Sequence, residues 1–320
     1  MTTAILAEGL VKHFAPDIRA VDGIDLSIPE GQIFGFLGPN GSGKTTTVRM
    51  LTTLLRPTAG RAEVAGLDVV RQAGQVRRRI GVALQEAGLD DLQTGRELLR
   101  LQGHLYGLDQ DQAKRRATHL LELVDLAPDA DRAIKGYSGG MKRRLDLAAA
   151  LMHEPKIVFL DEPTTGLDPI SREAIWREVR QLNVEEKVTF FLTTQYMEEA
   201  DRLADELAIM NHGRIVAQGT PAQLKADIGT DLVTVRIERG EADRARALDL
   251  LRELDGVEEV RSVDEDVVVY IRDGRRAIAR IILLLDEASV QVDEVSLAHP
   301  TLDDVFLRKT GHHIETEARS

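Results

Sequence analysis

Gly38-Pro39-Asn40-Gly41-Ser42-Gly43-Lys44-Thr45-Thr46 is the stretch from which the rest of the chain is read. Before it, Gly31-Gln32-Ile33-Phe34-Gly35-Phe36-Leu37 reads as a short apolar strand; after it, Thr45-Thr46-Thr47-Val48-Arg49-Met50-Leu51 reads as the first turns of a helix. A Gly-x4-Gly-Lys-Thr loop set between a strand and a helix is suited to surround a polyphosphate. Glycines at 38, 41 and 43 let backbone amides turn inward without Cβ clashes, and these donors add to those of the helix N-terminus. Lys44 is expected to reach the β- and γ-phosphates of a nucleotide, and the Thr45 hydroxyl to coordinate Mg²⁺.

A second element agrees with the first. Ile157-Val158-Phe159-Leu160 is an uninterrupted apolar run, as in a buried central strand, and it ends in Asp161-Glu162-Pro163. Carboxylates at the end of a buried strand are costly unless cations meet them. Asp161 is expected to hold Mg²⁺ through water. Strand alternation would turn Glu162 to the other side, where it can polarise an attacking water. The bland alternative for this pair is an acidic helix cap.

With these residues in place the chain resembles the ATP-binding subunits of ABC transporters, in the family's order from about Phe14 to Gly219. Tyr137-Ser138-Gly139-Gly140-Met141 resembles the family signature, with Tyr for the usual Leu and Met for the usual Gln. It opens a stretch from Met141 to His153 whose apolar residues Leu145, Ala148, Ala149 and Met152 recur at helical spacing. The amides of Ser138, Gly139 and Gly140 would therefore face outward from a helix N-terminus. The resemblance implies that they bind the γ-phosphate of ATP held by a partner's phosphate loop, and hence a homodimer. It also implies that Gln85, after the strand Arg79–Leu84, touches Mg²⁺ and water. Asp168, in Thr164-Thr165-Gly166-Leu167-Asp168, would cross the dimer interface, and Phe14 would stack on adenine.

One family position departs. Thr193-Thr194-Gln195-Tyr196 carries Gln195 where the family places a histidine that hydrogen-bonds the γ-phosphate. Neither His153 nor His212 substitutes for it in order or context. Together with the variant signature and the ending Thr301-Leu302-Asp303-Asp304-Val305-Phe306-Leu307, this pattern is similar to the subgroup that includes the daunorubicin and doxorubicin resistance exporters.

The expected fold is α/β: a P-loop NTPase core of the ABC ATPase type, with a RecA-like sheet, antiparallel strands near the N-terminus and a helical subdomain at about 87–140. This core would span residues 1–226. Residues 227–312 alternate as strands and helices in the order βαββαβ, which suits a small ferredoxin-like accessory domain with a turn at Asp264-Glu265-Asp266; 313–320 read as a polar tail. His312-His313, with no third ligand in view, read as surface residues.

Composition narrows the partners. A formal charge of −12 argues against a nucleic-acid surface, and the short runs Arg77-Arg78-Arg79 and Lys142-Arg143-Arg144 read as solvated helix faces. The chain has no cysteines. No apolar run approaches a membrane span, and Met1–Glu8 lacks the character of a signal peptide, so a cytoplasmic location is expected. The resemblance implies attachment to the inner face of the membrane through a separate multi-span permease. The expected function is ATP hydrolysis driving drug or lipid-like export. A soluble ABC-type ATPase without a transport partner is the alternative, opposed by the single cassette and the acidic charge. A nucleotide-binding regulator that does not hydrolyse is opposed by Glu162.

Overall fold

The computed structural model of the chain describes residues 2–84, 88–227, 231–237, 240–263, 266–298 and 300–311. Gln85, Asp264-Glu265 and His312-His313, all singled out above, lie outside the described residues. The chain divides into two compact units, Met1–Pro221 and Ala222–His313.

In the first unit, strands β1 (Thr3–Phe14) and β2 (Ile18–Pro29) form an antiparallel hairpin. Strand β3 (Ile33–Leu37) leads through the phosphate loop into helix α1 (Lys44–Leu51). Strands β4 (Ala59–Val64) and β5 (Leu67–Asp68) complete a four-stranded sheet in the order β2-β1-β4-β5. After α2 (Ala73–Arg77) and β6 (Ile80–Ala83) comes a helical region of α3 (Gly95–Leu105), α4 (Gln110–Leu123) and α5 (Gly139–Ala150). Reciprocal capping boxes, Thr94 with Glu97 and Asp109 with Gln112, start α3 and α4. The chain then alternates through β7 (Ile157–Asp161), α6 (Pro169–Glu186), β8 (Thr189–Thr194), α7 (Met197–Leu203), β9 (Glu206–Asn211) and β10 (Arg214–Gly219).

The second sheet has the order β10-β9-β3-β8-β7-β6. Its strands pair in parallel except β10, which is antiparallel to β9. Strands β3, β7 and β8 are buried at every position, which is why they read as continuous apolar runs rather than as alternating ones. The antiparallel sheet and α1 pack on one face around Phe34, Phe36, Phe159 and Phe191; the helical region packs on the other around Leu145, Leu160, Trp176 and Leu192. Because β3, β6, β7 and β8 run in parallel, the segments leaving their C-terminal ends share one edge of the sheet, where ligands of open α/β sheets bind.

Helix α5 begins at Gly139 and ends at Ala150, rather than running from Met141 to His153. Ser138 accepts a hydrogen bond from the Met141 amide and so caps the helix, which makes the two glycines its first residues. His153 falls beyond the helix, where its Nε2 lies 2.9 Å from the Ile80 carbonyl oxygen.

The second unit contains α8 (Pro221–Ala226) from Ala222 onward, then β11 (Asp231–Ile237), α9 (Gly240–Arg252), β12 (Val257–Val263), β13 (Asp266–Ile271), α10 (Gly274–Glu287), β14 (Val292–Ala298) and α11 (Leu302–Thr310). Its sheet order β12-β13-β11-β14, antiparallel throughout, is the ferredoxin-like arrangement. Val233, Val235, Val267 and Val269 of the sheet meet Ala247 and Leu251 of α9 and Ile281 and Leu285 of α10. Helix α11 was not foreseen; Thr301 and Asp304 form its capping box, and Gly311, at φ 82, ends it. Among the described residues no helix is long and apolar enough to cross a membrane.

Candidate active site

The phosphate loop leaves β3 beside β8, and the Gly38 amide donates to the Thr194 carbonyl (3.1 Å). Two of its glycines have no substitute. A Cβ at Gly38 would lie 2.4 Å from the Met210 carbonyl oxygen; at Gly43, where φ is 108, it would lie 2.2 Å from that of Ala20. The loop is thus wedged between β9 and β2. Ser42 is buried within it, and its Oγ has no hydrogen-bond partner among the described residues, which leaves a polar atom suited to an oxyanion ligand.

Lys44 is only 4% exposed. Its Nζ donates to the carbonyls of Gly38 (2.8 Å) and Pro39 (3.0 Å) and lies 3.6 Å from Glu162 Oε1. Burial pulls the ammonium below its ordinary pKa, and the neighbouring Glu162 carboxylate opposes that pull. Asp161, 2% exposed at the end of β7, accepts from Thr45 Oγ1 (3.2 Å) and from Thr193 Oγ1 (2.5 Å) on β8. A hydroxyl and a carboxylate adjoining a polyphosphate loop are hard oxygen ligands that fit Mg²⁺, which takes one or two such groups and completes its shell with phosphate and water.

Strand alternation, which the sequence reading used to separate the two carboxylates, stops at Asp161. Glu162 takes the left-handed conformation, φ 49, and its amide is held by the Thr193 carbonyl (3.1 Å) and hydroxyl (3.0 Å). A non-glycine residue there stores strain of about 1–3 kcal/mol, a feature that clusters at functional sites. Both carboxylates consequently meet consecutive residues of the phosphate loop, Asp161 at Thr45 and Glu162 at Lys44. Thr165 Oγ1 donates to Glu162 Oε2 at 3.2 Å.

An open cleft of about 540 Å³ brings together Phe14, Asn40, Gly41, Gly43, Lys44, Thr45, Thr46, Glu162 and Gln195. Phe14, at the tip of the β1–β2 hairpin and 41% exposed, presents its ring at this cleft, with Lys12 Nζ 5.1 Å from the ring centroid. Gln195 follows β8 directly, so the register that pairs Leu37 with Thr194 sets it beside the loop.

Ser138, Gly139, Gly140 and Asp168 do not line that cleft. Ser138, Gly139 and Asp168 are exposed, and together the four mark a surface where α5 and α6 begin side by side. A Cβ on Gly139 would lie 3.7 Å from Leu167 Cδ2, and one on Gly140 3.2 Å from Ser171 Oγ. Asp168 caps α6 through the Ser171 amide (3.0 Å) and accepts from the Ser171 hydroxyl (2.5 Å), which holds its carboxyl below the usual range. Tyr137, in place of the usual Leu, is buried and donates through its hydroxyl to the Asp129 carbonyl (2.8 Å).

Two residues were missed in the sequence. Arg143, read above as solvated, is partly buried and fully engaged: its Nε donates to Pro163 O (3.0 Å), Nη1 to Leu84 O (2.6 Å) and Asp146 Oδ2 (3.2 Å), and Nη2 to Asp161 O (3.1 Å). Its spacing of four and seven residues from buried Leu147 and Ala150 was the available signal. Glu199, fully buried, accepts from Thr164 Oγ1 (2.8 Å) and Trp176 Nε1 (2.9 Å). Burial raises its pKa, while hydrogen bonds from Thr194, Trp176 and Thr164 work against that rise. It too repeats at four residues with a buried apolar residue, Leu203.

The family model described as ABC transporter matches residues 21–165, and the one described as ATP-binding protein DrrA1-3-like, C-terminal domain, matches residues 219–310. The chain is 46% identical to the daunorubicin resistance ATP-binding protein DrrA2 of Streptomyces coeruleorubidus, over 99% of this chain and 98% of the relative. It is 45% identical to the daunorubicin/doxorubicin resistance ATP-binding protein DrrA of Streptomyces peucetius, over 97% and 93%. Among solved structures it is similar to a bacterial ABC transporter cassette determined as a dimer, at 25% identity and a TM-score of 0.62, covering 68% of this chain and 98% of the cassette.

Proposed function

The chain belongs to the ATP-binding subunits of ABC transporters, and on that footing we propose that it is the ATP-hydrolysing subunit of an exporter of drug or lipid-like cargo. The observation that carries this reading is the meeting of Asp161 with Thr45 at 3.2 Å and of Glu162 with Lys44 at 3.6 Å on the phosphate loop. Backbone amides within residues 40–46, with the Lys44 ammonium, take the phosphates of ATP, Phe14 stacks on adenine, and the Gln195 amide donates to the γ-phosphate. Glu162 positions and polarises the attacking water. Thr45 and Asp161, with Gln85 as a further ligand, would hold Mg²⁺, which would supply positive charge against the charge that develops on the phosphates.

The exposed start of α5 gives the reading its second half. Ser138, Gly139 and Gly140 present a capped helix N-terminus away from their own phosphate loop, next to Asp168. In a homodimer closed face to face these residues complete the partner's ATP site. ATP binding closes the pair and hydrolysis reopens it, and a separate multi-span permease on the inner face of the membrane follows that cycle. An ATPase unlinked to transport is not favoured by relatives that are named for drug resistance.

The test has two parts. The purified chain should hydrolyse ATP only with a divalent cation, and Lys44→Ala should abolish turnover. Solubilised membranes should yield the chain together with a multi-span protein. Absence of turnover in the unaltered chain would remove the ATPase reading; absence of any membrane partner would remove the transport reading.

A further inference from the structure

Arg143 touches the two carbonyls that flank Glu162. Its Nη2 donates to Asp161 O (3.1 Å) and its Nε to Pro163 O (3.0 Å), so one planar guanidinium brackets the carboxylate residue from both sides. A third bond, from Nη1 to Leu84 O (2.6 Å), ties in the segment leaving β6. Asp146 Oδ2, 3.2 Å from Nη1 and one turn along the same helix, fixes the fork's orientation.

The bracket acts on a residue that needs holding. Glu162 is in the left-handed conformation, φ 49, and such a backbone persists only where its surroundings over-determine it. The Thr193 carbonyl and hydroxyl fix its amide from β8, and Arg143 fixes the carbonyls on either side from α5. Arg143 lies five positions after Ser138 on the same rigid helix, so a shift of the exposed helix start moves the guanidinium and, with it, the peptide units that set Glu162.

We propose that Arg143 is a positioning residue that links the two ATP sites of the dimer from within one subunit. The proposal rests on the shared-site reading above. In that reading Ser138 serves the ATP of one site while Glu162 of the same chain serves the other. Engagement of the signature by the partner's nucleotide then bears directly on the carboxylate of the opposite site, through one helix and the two hydrogen bonds from Arg143 to the carbonyls of Asp161 and Pro163.

The test uses full-length chains with different tags, purified as mixed dimers in which one subunit carries Lys44→Ala. Only one site then remains, built from the phosphate loop and Glu162 of the intact subunit and the Ser138 of the altered one. Arg143→Gln is added to one subunit or to the other, and single-turnover loss of the γ-phosphate is measured at saturating Mg-ATP. Either placement should slow the step roughly tenfold, the scale of a lost hydrogen bond to a charged group, with nucleotide affinity unchanged because Arg143 touches only backbone and Asp146. Arg143→Lys keeps the charge without the fork, should recover part of the rate in both placements, and serves where the Gln variant does not fold. Slowing from the Glu162-donating subunit alone would mean that Arg143 merely supports its own loop, and that result, or no slowing from either placement, overturns the link. An unaltered chain that failed to bind and hydrolyse Mg-ATP would instead overturn the functional reading itself.

Discussion

Lys44 Nζ and Glu162 Oε1 stand 3.6 Å apart in the nucleotide cleft, both side chains almost wholly buried. The contact joins the group expected to hold the phosphates to the group expected to activate water. Glu162→Gln removes the negative charge and the ability to polarise water, and leaves the Lys44 bonds to Gly38 O and Pro39 O in place. ATP binding should therefore survive, turnover should fall by a factor on the order of a hundred or more, and an ATP-bound dimer should accumulate on size-exclusion chromatography. Wild-type turnover in this variant would take Glu162 out of the mechanism.

Gln195 lines the same cleft as Lys44 and Glu162. Its amide can donate one hydrogen bond but carries no charge and takes up no proton, so this position should add no ionisation step to the pH dependence of turnover. Gln195→Ala should slow hydrolysis by roughly tenfold to a hundredfold, the equivalent of about 1–3 kcal/mol of lost transition-state stabilisation, while Gln195→His should be tolerated far better. Steady-state rates at saturating Mg-ATP decide the matter; an unimpaired Gln195→Ala enzyme would make the residue a bystander.

Glu178, on α6, is pushed up to about 8 by burial; Arg144, 3.8 Å away, offsets this only in part, and Oε2 has no hydrogen-bond partner among the described residues. Its folded value is thus raised above the ordinary 4.5. The sign follows: the stabilisation is complete below the unfolded value and is lost as pH rises through about 8. Glu178→Gln should accordingly raise the unfolding temperature more at pH 8.5 than at pH 5. Thermal scans of both proteins at the two pH values would test this, and a difference that is equal or reversed would show that the fold does not hold the carboxyl neutral.

The ferredoxin-like unit has its own core around Val233, Val267, Leu251 and Ile281. None of its described residues lines the nucleotide cleft. We propose that residues 227–320 serve dimer stability or coupling to the permease and not the chemistry. A chain ending at Ala226 should keep its nucleotide affinity, measured by calorimetry, and lose dimer stability or membrane co-purification. Loss of ATP affinity in a folded truncation would refute both the boundary and the role.

Local pattern carried much of this. The phosphate loop, the apolar run into Asp161, the signature glycines and the βαββαβ alternation were all legible, because glycine conformational freedom, strand burial and helix periodicity are written in near neighbours. Element ends were less so: α5 starts at Gly139 because the Ser138 hydroxyl caps it, and α11 appears because Thr301 and Asp304 form a capping box.

What only the tertiary structure decided is which distant residues share an edge and which polar groups lie inside. The order β3-β8-β7 sets Thr193 against Asp161, and with it comes the left-handed turn at Glu162 that defeats simple strand alternation. The same packing turns Arg143 from an apparent surface charge into a partly buried fork on Leu84, Asp161 and Pro163, positions as many as 59 residues away in the chain. By itself the sequence determined the nucleotide chemistry, since a phosphate loop is a contiguous backbone device. The arrangement that aims the Glu162 carboxylate had to wait for the fold, because hydrogen bonds to backbone carbonyls leave no residue-type signature on the partners that accept them.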